Sequence, residues 1–452
     1  MPAVNISRYK MTKLTGCAII QLQSLNEKRK MAEVVTLSGK MEKQLPAELV
    51  EFMQTAGLVA ASQRQNLYLV GGVVRDLLLG RTNLDLDLVV EGDAIALAMR
   101  LAQITQGKVT IHTRFQTANL RWDNWSVDLA TARSETYTRP GALPTVEPGS
   151  LDTDLFRRDF TINTMAIELV PSRWGRLIDL YEGRNDLKKG LIRILHENSF
   201  SDDATRIWRA LRYEQRLDFK LEPDTLRLLK QNIAMLDTIS ADRIRHELEL
   251  VLKEELPEKF IRRADELGVL AQLHPSLKGD DWLSRKFEEA RKASSPDSPS
   301  VELYLALLVF RLSDKETEEF IQKLRLRKSH AQTLRDGISL KASLKALTKP
   351  ALAPSRIYHL LHGLSPSALT ANYLATDSPM AQQHIHLFLT KLRYAKPALT
   401  GNDLQKLGIP PGPRMKEILA RLHQARLDGK VTDKKGEVEM VRGWYKGVQE
   451  GR

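Results

Sequence analysis

The chain has 452 residues, room for about three domains at roughly 150 residues each. With 42% apolar and 27% charged residues it has a globular makeup, and its single cysteine, Cys17, excludes a disulfide framework and a cysteine-built zinc site. The longest apolar runs, 67–74 and 303–310, are about eight residues, where a bilayer span needs about 20. Lysine plus arginine number 68 against 56 acidic residues, a net charge of +12. Such a surface attracts polyanions, and nucleic acid is the common reason, the alternative being a basic protein with no such partner.

Before Glu27 there is no acidic residue, while Arg8, Lys10 and Lys13 are basic. The apolar stretch at 17–20 is too short for a secretory signal core. This start reads as an organelle transit peptide, a disordered extension, or an upstream start codon with Met11, Met31 and Met41 as alternatives. The last two are favoured, so residues 1–45 are expected to be a disordered extension and the protein cytoplasmic.

Residues 46–62 read as an amphipathic helix, with Leu49, Phe52 and Leu58 at helical spacing. A short apolar strand at 66–70 then runs into Gly71-Gly72, and 73–79 reads as a helix stopped by Gly80. Residues 84–90 alternate at their start as a strand does, and 108–112, 117–122 and 126–129 are further strands. After Asp179 the character changes, and from about residue 200 the periodicity is helical, with Ile207, Ala210 and Leu211 on one face and Ile244, Leu248 and Val251 on another. Residues 294–300 and 350–355 are Pro- and Ser-containing linkers, and Gly408 to Pro413 forms a rigid turn into a helix over 415–427. The fold class is therefore α+β, a head with a mixed sheet followed by an all-α body.

Gly71-Gly72 between a strand and a helix presents backbone N–H groups where phosphates bind well, and Arg75 one turn later adds a guanidinium. Alone, Gly-Gly is most often a turn. Asp85 and Asp87, two apart on a strand, share a face, and such a pair suits Mg²⁺, which binds through one or two carboxylates plus substrate phosphates. Alone, that pair is most often a solvated strand face; the two features about a dozen residues apart are more specific. Asp128 on a later strand reads equally as a third carboxylate of a two-metal site or as a solvated edge residue. Arg157, Arg158 and Asn163 read as phosphate and ribose contacts or as a surface salt-bridge cluster.

Asp203, Arg206 and Arg209 recur at three-residue spacing on one helix face, followed by Arg212. Acids early and bases late also suit the helix dipole. Yet an Asp accepts hydrogen bonds and an Arg donates them, so the pair matches a base edge with an exocyclic amine beside a ring nitrogen. Cytosine and adenine present that edge; guanine and uracil do not.

The segments LVGGVVRDLLLGR with Asp85-Leu-Asp87, then RRDFTINTMA, then DDATRIWRALRY, in that order and continuing through ISADRIRHEL, resemble the class II, bacterial-type tRNA nucleotidyltransferases, the CCA-adding enzymes and poly(A) polymerases of the polymerase-β-like superfamily. The likeness covers about 46 to 440 and includes the turn at 400–413. It implies template-independent attack of a tRNA 3′-OH on the α-phosphate of CTP or ATP, adding CCA, or its CC or A part, with release of pyrophosphate. It also implies Mg²⁺ held by Asp85 and Asp87, with Asp128 as the third catalytic carboxylate. Gly71, Gly72, Arg75, Arg158 and Asn163 would contact the nucleotide, Asp203 and Arg206 would read its base, and Arg209 and Arg212 would bind phosphates.

The implied domains are a catalytic head at 46–170, a nucleotide-selecting neck at 171–238, an RNA-binding helical body at 239–330 and a tRNA-binding helical tail at 331–452. The acceptor arm and 3′ end of tRNA would be the partner, with no membrane and no obligate protein partner. The chain departs from the family pattern by Asp202-Asp203 in place of Glu-Asp, which leaves the selector intact. The segment 134–138 is also short, in the region that serves the switch from C to A, so a partial activity stays open. A poly(A) polymerase is the alternative, disfavoured by the Asp203/Arg206 helix and the tail. An inactive RNA-binding protein is disfavoured by the three intact carboxylates.

Overall fold

The computed structural model describes residues 35–136 and 145–449. It divides into two compact units that break between Glu197 and Asn198. Helices α1 (Ser38–Gln44) and α2 (Ala47–Ser62) lead into strand β1 (Asn66–Val70), helix α3 (Gly72–Leu79) and strand β2 (Leu86–Glu91). Helix α4 (Ala94–Thr105) follows, with strands β3 (Lys108–His112), β4 (Thr117–Trp122) and β5 (Trp125–Thr131). Strands β6 (Arg133–Thr136) and β7 (Thr145–Pro148) pair antiparallel with each other, and helix α5 (Leu151–Phe156) leads to strands β8 (Met165–Glu168) and β9 (Leu177–Asp179).

Seven strands form one mixed sheet in the order β3-β4-β5-β2-β1-β8-β9. All pairs are antiparallel except β2 with β5, which is parallel. Strand β1 is buried over four of its five residues, so it reads as a near-continuous apolar run, as central strands do.

Two expected boundaries move. The ordered chain begins before residue 46: α1 lies within the stretch expected to be a disordered extension, with Leu37, Met41 and Leu45 buried. Its entry is fastened to the sheet by Leu37 N–H donating to the Gly175 carbonyl at 2.7 Å and Leu177 N–H donating to the Val35 carbonyl at 2.9 Å. Residues 1–34 lie outside the described residues, as do 137–144, which include part of the short 134–138 segment. The head also continues past residue 170, because β9 completes the sheet and the first unit runs to Glu197.

The second unit is helical, as the periodicity predicts. The expected linkers fall between helices, at the junctions of Asp281–Ser294 with Val301–Val309 and of Lys328–Leu347 with Pro354–Leu361. Its far end holds two apolar cores, one around Leu340, Ile357, Leu361 and Phe388, the other around Leu404, Ile409, Leu422 and Val441. Among the described residues no helix is long and apolar enough to cross a membrane.

Candidate active site

Strand β2 runs beside β5 in a register that sets Asp87 opposite Asp128. Directly opposed residues point to the same face. The strand begins at Leu86, two residues later than the alternation predicts, so Asp85 stands just ahead of it, near enough for its charge to act on Asp87. The chemistry of this row is visible in Asp87, whose carboxyl is pushed up to about 6, chiefly by burial, against the pull of Arg158 and with help from Asp85 and Asp128. Crowded carboxylates of this kind are relieved by a cation. Among the described residues no three His, Cys, Asp or Glu side chains are grouped so as to hold a metal ion. Two carboxylates with the remaining positions left to water and phosphate oxygens suit a hard divalent cation.

Supporting residues fix the row. Asn119 stands opposite Asp128 on β4 and donates to its Oδ1 at 2.8 Å, while its own Oδ1 accepts from Arg121 Nε at 2.8 Å. Asn83 accepts from the Asp85 N–H at 3.0 Å and donates to Asp76 Oδ2 at 2.8 Å, which ties the approach to β2 to helix α3. Neither asparagine was among the residues expected at the site. Asn119 is revealed only by the strand register, whereas Asn83 lies two residues before Asp85 in the chain.

Gly71 turns the chain from β1 into α3 with φ +80°, a conformation that L side chains rarely adopt. A Cβ built there would lie 3.2 Å from Arg158 Nη1 and 3.3 Å from Asp87 Oδ2. The main chain of the turn, the Arg158 guanidinium and the Asp87 carboxylate therefore meet at one point. Gly71→Ala is expected to keep the fold at a cost of about 1 kcal/mol and to weaken ATP binding by more than tenfold, as measured by thermal melting and titration calorimetry with Mg²⁺.

Two of the residues expected at the nucleotide are engaged with protein partners in this structure. Arg75 is only 3% exposed and donates from Nε and Nη2 to both oxygens of Asp76 at 2.9 Å and from Nη1 to Asn163 Oδ1 at 2.7 Å. Asn163, 5% exposed, in turn donates to Asp159 Oδ1 at 3.0 Å. Both were expected against the nucleotide. A buried pair costs about 3–5 kcal/mol when one partner is removed, so these two side chains serve as the internal brace of the turn.

In the second unit Asp203 precedes helix Thr205–Leu217 and accepts at Oδ1 from the Thr205 N–H at 3.0 Å and hydroxyl at 2.7 Å. Its Oδ2 accepts from Arg243 Nη2 at 2.7 Å. Arg206, 4% exposed, donates from Nη1 to Ser199 Oγ at 2.7 Å. Trp208, fully buried, stacks on Phe260 at 5.4 Å and seats the helix. Arg209 and Arg212 stand near Glu247, holding down a carboxyl that burial raises, and Arg212 also reaches Glu254 at 3.4 Å. Arg206, Arg209 and Arg212 thus follow one another along one helix, while Asp203, expected on the same helix face, sits in extended backbone just ahead of it; Arg243 and Glu247 are partners not anticipated among the site residues.

Residues 67–193 match the poly A polymerase head domain, and 218–280 match the domain described as "Probable RNA and SrmB- binding site of polymerase A". An A-adding tRNA nucleotidyltransferase of Geobacter sulfurreducens is 36% identical over 96% of this chain and 51% of its own length, so the chain spans about half of that relative. An A-adding tRNA nucleotidyltransferase of Halalkalibacterium halodurans is 33% identical over 90% of this chain and 95% of its own. The Thermotoga maritima CCA-adding enzyme complexed with tRNA superposes with a TM-score of 0.73 and 31% identity, over 92% of this chain and all of that one. With the mixed sheet, the opposed carboxylates and the glycine turn all in place, the chain belongs to the bacterial-type tRNA nucleotidyltransferases, the CCA-adding enzyme and poly(A) polymerase family of the polymerase-β-like superfamily.

Proposed function

We propose that the protein transfers a nucleotide from ATP or CTP to the 3′ end of tRNA without a template, and that its own step is addition of the terminal A to tRNA ending in CC. The observation that carries the transfer reaction is the in-register pair Asp87 and Asp128 beside the Gly71 turn and Arg158. The finer reading rests on the A-adding names of the two relatives above and on the short 134–138 segment.

In this reading the O3′–Pα bond forms as the Pα–O–Pβ bond breaks and pyrophosphate leaves. Gly71 and Gly72 offer main-chain N–H groups to the phosphates and Arg158 offers its guanidinium. Asp128, steered by Asn119, is set to draw the hydroxyl proton. Asp85 and Asp87 would hold Mg²⁺, which supplies charge neutralisation to the phosphates when bound. The family depends on a divalent cation, and the all-oxygen donor set is the reason for choosing Mg²⁺. Asp203 and Arg206 would read the amine and ring nitrogen of adenine, an edge that cytosine shares and that guanine and uracil lack.

The test uses three tRNA transcripts, ending before CCA, after C and after CC, with labelled ATP or CTP and single-nucleotide resolution. The expected product is one A on the CC-ended transcript, with no C added to the others. Full CCA on the shortest transcript would replace the A-adding reading with a complete CCA-adding one, and no product on any transcript would overturn the transfer reaction itself.

A further inference from the structure

Arg158 is divided between two tasks. Its Nη1 lies at the Gly71–Asp87 point, while Nη2 and Nε donate to Asp154 Oδ2 at 3.0 and 3.4 Å. Asp154 is fully buried, and its other oxygen, Oδ1, accepts from Arg157 Nε at 3.0 Å and Nη2 at 2.5 Å. The two neighbouring arginines hold its carboxyl below the usual range against the effect of burial. Arg157 then reaches out from Nη1 to Glu135 Oε1 at 2.9 Å. Glu135 also accepts from Arg133 Nη2 at 2.9 Å, and Arg133 Nη1 donates to the Phe115 carbonyl at 2.9 Å.

The result is a row of alternating charge: Arg133, Glu135, Arg157, Asp154, Arg158, Asp87. It begins on β6, in the two-stranded β6–β7 ribbon, and ends at the candidate metal ligand. Every member except Asp87 is fixed to its neighbour by a charge-assisted hydrogen bond. Most surface ion pairs contribute little, but these side chains are between 0% and 19% exposed, so screening is weak and each guanidinium has one favoured orientation.

We propose that Glu135 is a positioning residue for nucleotide transfer, acting through Arg157 and Asp154 to aim the Arg158 guanidinium at the triphosphate. Neutralising Glu135 removes the charge that draws the Arg157 guanidinium outward from Asp154. Asp154 is drawn toward Arg157, and Arg158 loses the anchor that points Nη1 at the turn. This inference rests on the proposed transfer reaction, which wild-type turnover tests by itself.

The experiment compares wild type, Glu135→Gln, Arg158→Lys and the double variant in AMP incorporation on CC-ended tRNA. Loss of a partner that orients a ligand-holding group costs about 10- to 100-fold, so Glu135→Gln should raise the ATP KM by about tenfold while the tRNA KM stays unchanged. In the double variant Glu135→Gln should add little to Arg158→Lys, because both act through one guanidinium. Glu135→Asp, which keeps the charge, should recover most of the loss. A merely structural Glu135 would instead lower Tm and change both KM values together, or give losses that multiply in the double variant. Either result overturns the proposal, as does an unchanged ATP KM. If Glu135→Gln does not fold, Arg133→Gln at the outer end of the row carries the same test with a smaller expected rise.

Discussion

Asp87→Asn is expected to reduce nucleotide incorporation by about 10³-fold or more while leaving tRNA affinity intact. The carboxylate stands opposite Asp128 and feels the charge of Asp85, just ahead of the strand. Losing about 4 kcal/mol of charge stabilisation at the reacting phosphates is a factor of about 10³ in rate, at tenfold for each 1.4 kcal/mol. Asparagine keeps the size of the side chain and removes a charge that burial, Asp85 and Asp128 already oppose. The melting temperature should therefore hold or rise, which separates lost chemistry from lost structure. Single-turnover incorporation with labelled ATP, a filter-binding titration of tRNA and a thermal melt give the three readings. Incorporation within tenfold of wild type would remove Asp87 from the catalytic group; parallel loss of tRNA binding would point to a damaged fold.

Much of the head was legible in the sequence because its strands are short, apolar and closed by glycines. Strand β1, the glycine turn, α3 ended by Gly80, and β3 and β4 fall where alternation and turn chemistry place them. Helix α4 was outside that reading, although Asp93 caps it by accepting from the N–H groups of Ile95 and Ala96, and Leu97, Ala98 and Leu101 form its buried stripe. Helix α1 escaped because one buried methionine, Met41, in a seven-residue element is too little periodicity to detect.

The site was legible as residue types, less so as roles. Strand register sets Asp87 opposite Asp128, with Asp85 just ahead of the strand. An arginine after Gly-Gly looks the same in sequence whether it faces a phosphate or turns inward, as Arg75 does toward Asp76 and Asn163. Asn119, Glu135, Arg243 and Glu247 give no local signal, since each acts on a residue that tertiary contact or strand pairing brings near. Asn83 and Asp154 act on residues only two to four positions away, Asp85 and the pair Arg157 and Arg158, and were within reach of sequence spacing.

Arg206→Ala should relax base choice more than it slows total incorporation. Asp203 is held independently of Arg206, through Thr205 on one oxygen and Arg243 on the other, so the acceptor half of the selector survives the substitution. The donor half goes. ATP loses the contact to its ring nitrogen, while GTP and UTP lose a mismatch between the guanidinium and their own N–H. A contact of this kind is worth about 1–3 kcal/mol, so the preference for ATP over GTP should fall by about 10- to 100-fold. Because Arg206 is buried against Ser199, Arg206→Lys serves as the companion: it retains charge and bulk, keeps one donor, and should give an intermediate loss. Incorporation from each of the four nucleotides, measured separately on CC-ended tRNA, gives the ratios. Unchanged discrimination in a folded Arg206→Ala protein would sink the selector assignment, and a uniform loss across all four nucleotides would reassign Arg206 to packing of the helix start.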